Sequence, residues 1–95
     1  MLNAIFGPRK RRTHRVEVSI PARLRYAAAK AAPIRVESLS LHGLRAEARV
    51  PLRRGDLVSI ELPEIGPTTA RVAWTSDGRF GAMFRKAVDV RNCVR

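Results

Sequence analysis

The sequence predicts a small all-β protein, a six-stranded antiparallel β-barrel. Three observations lead there. Apolar residues recur at every second position in short runs, turn residues separate the runs at regular intervals, and no segment sustains a long helical period. Closure is expected because so small a sheet with two open edges would invite edge-to-edge pairing.

Residues 1–13 lack periodicity and read as a flexible basic N-terminal arm. The barrel is expected over residues 14–86. Val16, Val18, Ile20, Ala22, Leu24 and Tyr26 alternate with polar positions as the first strand. Pro21 lacks a donor, which calls for an edge or a bulge near it. Ala27–Ala32, closed by Pro33, is too short for a free-standing helix and reads as a loop or single turn. Ile34 and Val36 begin a second strand that runs into a turn at Ser38–Gly43. Leu44, Ala46 and Ala48 mark the third strand, and Pro51 with Arg54-Gly55-Asp56 makes the next turn. Val58, Ile60 and Leu62 mark the fourth, closed by Pro63, Gly66 and Pro67. Ala70, Val72 and Trp74 mark the fifth, Asp77-Gly78 is a hairpin signal, and Phe80, Ala82 and Phe84 form the sixth. Residues 87–95 are left as a C-terminal tail or short helix.

Composition narrows the function. The 95 residues suffice for one core, and the apolar share of 45% is that of a globular chain. No apolar run reaches membrane-spanning length, and the start has neither a basic leader nor a long apolar region, so the expected location is cytoplasmic. Cys93 is the single cysteine, which excludes an internal disulfide and, without clustered histidines, argues against zinc. Nineteen basic residues against eight acidic give a net charge of +11. Arg9, Lys10, Arg11, Arg12 and Arg15 crowd the first fifteen positions with no acid among them. Such a cluster is either a solvated arm or an anion-binding segment. The acidic residues fall singly, and there is no phosphate-loop, nucleophile-elbow or H-E-x-x-H motif, so no enzyme, metal or cofactor is expected.

Two short motifs carry the chemistry. Arg11 and Arg15 form an R-x-x-x-R spacing just ahead of the first strand, and Ser40 and Gly43 form an S-x-x-G spacing at the turn between the second and third. Guanidinium forks and small polar groups on a tight turn suit a ligand with phosphates and purine edges. In this order and strand context, with Arg71–Trp74 and Phe80–Phe84 similar to later strands, the chain resembles the PilZ domain family over roughly residues 9–86. The resemblance implies a six-stranded barrel that binds the bacterial second messenger cyclic di-GMP and is read by a partner protein. The family usually has Asp or Asn, suited to a guanine edge, where Ser38 stands.

By this resemblance Arg11 and Arg15 are the main ligand arginines, with Arg12, Ser38, Ser40 and Gly43 completing the expected site. Arg9, Lys10 and Trp74 are additional candidates. Trp74 falls on the apolar face of its strand, which assigns it by default to the core; the alternative is a ring stacking on guanine at the barrel mouth. His42 reads as an exposed turn histidine. Ser40 either caps the turn or donates to a phosphate, and Gly43 supplies a backbone conformation or a close approach. Two other functions compete: a PilZ-like interaction module that has lost the nucleotide, and a small basic barrel for RNA or single-stranded DNA. The second is disfavoured because the few aromatics fall mostly on inward positions.

Overall fold

Residues 15–27 and 30–88 are described by a computed structural model. Six strands run through them: β1 (Val16–Tyr26), β2 (Lys30–Leu39), β3 (Gly43–Glu47), β4 (Leu57–Leu62), β5 (Gly66–Ser76) and β6 (Arg79–Phe84). Every neighbouring pair is antiparallel, and the order β1-β2-β3-β6-β5-β4 closes into a barrel. The closing seam is short, since β1 meets β4 only at Arg23–Arg25. Pro21 lies outside that seam, opposite Arg35 of β2, and the bulge expected near it falls just upstream, between Glu17 and Ile20.

Alternation places the core as expected. Leu24, Val36, Leu39, Ile60, Val72 and Phe80 are the large apolar side chains with essentially no exposure. Burying each stabilises the fold by about 1.5–3 kcal/mol relative to leaving it in water. The β5–β6 hairpin turns at Asp77 and Gly78, both with positive φ. That pair of angles suits the right-handed strand twist, and Asp-Gly adopts it readily.

The alanine segment departs from expectation. Lys30, Ala31 and Ala32 are not a loop but the start of β2, paired with Tyr26, Arg25 and Leu24. Alanine has little β propensity of its own, so the pairing with a strongly alternating β1 decides the outcome. Pro33 is tolerated because β3 begins to pair with β2 only at Arg35. At the other end of the chain, Ala87 and Val88 are not helical. Val88 is buried against the core, and its N–H donates to the Leu41 carbonyl at 3.0 Å. Residues 89–95 lie outside the described part, as do residues 1–14.

Gly43 answers to space rather than to backbone angle. It opens β3 opposite Met83, and a Cβ there would run into the Ala82 carbonyl oxygen. A carbonyl committed to a ladder has little room to yield. Gly43→Ala should therefore cost about 1–3 kcal/mol, the usual range for forced overpacking, read from the urea midpoint. An unchanged midpoint would show that the β3–β6 ladder gives way freely.

Candidate functional site

Directly opposed residues on neighbouring strands share a face of the sheet. Glu17 stands opposite Ser38, Ser38 opposite Arg45, Arg45 opposite Gly81, and Gly81 opposite Trp74. Five strands thus contribute one row across the barrel wall. The row faces outward, because the residues flanking it on β3 and β6 (Leu44, Ala46, Phe80, Ala82) are buried in the core.

Trp74 on this row corrects the default assignment to the core. The register slips between Val72 and Trp74, so that Val72 still faces Ala82 while Trp74 faces Gly81. The extra residue turns the indole outward and leaves Trp74 41% exposed. A Cβ on Gly81 would meet three indole atoms at no more than 2.9 Å, so the glycine is the gap over which the ring lies.

Ser38 also occupies the outer row, yet its exposure is 0%. Two arginines account for that. Arg15 Nη1 donates to Ser38 Oγ at 3.2 Å. Arg45, the row neighbour on one side, reaches Glu17, the row neighbour on the other, with Nη2 donating to Oε1 at 3.2 Å. Arg45 Nε also lies 3.4 Å from Glu37 Oε1, which accepts from Arg79 Nε at 2.9 Å. The hydrogen bond from Arg79, aided by the charges of Arg79 and Arg45, holds the Glu37 carboxyl below its ordinary range against the opposing effect of burial.

The turn after β2 is pinned by its own backbone. Ser40 donates to the Gly43 carbonyl twice, through N–H at 2.9 Å and through Oγ at 3.2 Å. The Phe84 N–H donates to the His42 carbonyl at 2.7 Å and ties the turn to the end of β6. Ser40 therefore caps the turn, the structural half of its expected role.

These elements enclose an open pocket of about 510 Å³. Gly43, Leu44, Ala73, Gly81 and Ala82 form its small and apolar lining. Trp74 and Met83, the latter 61% exposed, bring an indole and a thioether, while Arg15, Arg45, His42 and Ser40 supply the polar lining. A guanidinium fork beside an exposed ring suits a planar heterocycle carrying an anion.

Of the residues singled out from sequence, Arg15, Ser40, Gly43 and Trp74 line this one pocket. Ser38 stands behind it and touches it through Arg15. Arg9, Lys10, Arg11 and Arg12 lie outside the described residues. Arg45 and Met83 were not anticipated, nor was the place of His42 in the lining. Among the described residues no group of three His, Cys, Asp or Glu side chains is placed to hold a metal ion.

A closed six-stranded antiparallel barrel thus carries a cationic, aromatic pocket on its outer wall. The chain belongs to the PilZ domain family, which it matches over residues 9–94, a span that takes in both short motifs and all six strands. The family is one of cyclic di-GMP receptors. No curated protein matches the chain.

Proposed function

We propose that the protein is a cyclic di-GMP receptor, that the pocket on the outer wall takes the nucleotide, and that the chain is not an enzyme. The observation that carries this reading is the convergence of Arg15, the Ser40–Gly43 turn and Trp74 on one pocket from three separate parts of the chain. Arg15 takes a phosphate or a guanine O6/N7 edge, and Trp74 offers its exposed face to a purine. Arg11 and Arg12, with Arg9 and Lys10, add cations from the segment ahead of Arg15. Nucleotide binding is read by a partner protein in the cytoplasm. No helix among the described residues is long and apolar enough to cross a membrane.

Calorimetric titration with cyclic di-GMP at moderate salt tests the reading. A dissociation constant in the micromolar range is expected, on the order of −8 kcal/mol, together with a raised melting temperature, since a ligand selective for the folded state stabilises it. No heat and no thermal shift at about 0.5 mM ligand, far above such a constant, would leave an interaction module without nucleotide. RNA binding with a steep salt slope and no preference for the cyclic dinucleotide would favour the basic-barrel alternative.

A further inference from the structure

A guanine differs from an adenine at its pairing edge by two adjacent donors, the ring N–H and the exocyclic amine. Reading that edge requires a free acceptor, and a carboxylate is the strongest one available. Around the pocket the acceptors are few. Ser38 Oγ is fully buried and already accepts from Arg15. Ser40 Oγ is turned to the Gly43 carbonyl. Glu37 is held between Arg79 and Arg45, its side chain only 22% exposed.

Glu17 is different. It occupies the same outward row as Ser38 and Arg45, two residues along the strand direction from Arg15, and its side chain is 69% exposed. Its contact with Arg45, which lines the pocket, runs through Oε1. We infer that Glu17 is the specificity-determining residue, its carboxylate accepting from the guanine edge where the buried Ser38 hydroxyl does not reach. The inference rests on the cyclic di-GMP reading of this pocket. Arg45 positions the carboxylate and balances its charge, so an acid is tolerated beside the phosphates.

The test compares two ligands on the full chain by calorimetry: cyclic di-GMP and its inosine counterpart, which lacks only the exocyclic amine. The wild type should prefer the guanine form about tenfold, the scale of one charge-assisted hydrogen bond. Glu17→Ala should bring the two affinities within about twofold of each other, and Glu17→Gln should fall between. The ratio is the readout because freeing Arg45 alters phosphate attraction equally for both ligands. Glu37→Gln should keep the wild-type ratio, and unchanged melting temperatures should accompany both Glu17 variants. A Glu17→Ala protein that still discriminates as the wild type does, or a wild type that binds both ligands equally, overturns the role of Glu17 while leaving the receptor reading intact. A wild type that binds neither ligand overturns the receptor reading itself, and the role of Glu17 with it.

Discussion

Arg15→Ala should weaken cyclic di-GMP binding by about ten- to a hundredfold while leaving the barrel folded. The loss corresponds to one charge-assisted contact, about 1.5–3 kcal/mol. Arg15 is exposed and precedes β1, so its removal opens no core cavity. The substitution acts twice, because the same guanidinium that faces the pocket also donates to the buried Ser38 hydroxyl. Lys86→Ala is the control. Lys86 is exposed and does not line this pocket, so its loss changes the total charge by the same amount without touching the site. Equal weakening by both substitutions would mean that diffuse attraction, not the pocket, holds the nucleotide.

Phe80→Ala should destabilise the domain by about 3–5 kcal/mol, the range for removing a buried phenylalanine. The ring is 1% exposed and sits on β6 between Ala46 of β3 and Thr75 of β5. Ala46 across the ladder and Ala82 two residues along the same face are already small and can fill little of the space. A domain of this length has about 5–15 kcal/mol in all, so the variant would be close to unfolding at ordinary temperature. Urea denaturation reads the loss directly. Met83→Ala, on the same strand but facing solvent, should stay within about 0.5 kcal/mol. Comparable losses at the two positions would contradict the assignment of inner and outer faces on β6.

Strand identity was legible wherever side chains obey strict alternation. Val16–Tyr26 and Val58–Leu62 each alternate polar with apolar positions, and in Phe80–Phe84 the apolar Phe80, Ala82 and Phe84 recur at every second position and are buried in the barrel. Two features broke it. Ala31 and Ala32 carry no pattern of their own and become strand only through pairing with Arg25 and Leu24. Trp74 keeps the apparent period of Ala70 and Val72, but one extra residue in the ladder reverses its direction, and such an insertion leaves no mark in hydropathy.

The candidate site was partly legible for the same reason. Arg15, Ser40 and Gly43 stand at spacings that can be read along the chain. Arg45 could not be singled out among so many arginines, because its place beside Ser38 depends on the register between β2 and β3. Ser38 was identified as a position but not in its setting, since only the fold reveals that two neighbouring side chains cover its hydroxyl.

The register slip in β5 also gives the molecule its own optical probe. Trp74 is the single tryptophan of the chain, and the slip places its indole on the pocket wall rather than in the interior. Excitation selective for indole therefore interrogates one location only, and emission that shifts or quenches on titration originates there. Binding, dissociation and the order of events in between become accessible by stopped flow on the unlabelled chain. Signal from the rest of the protein is confined to Tyr26 and the three phenylalanines, which that excitation leaves dark.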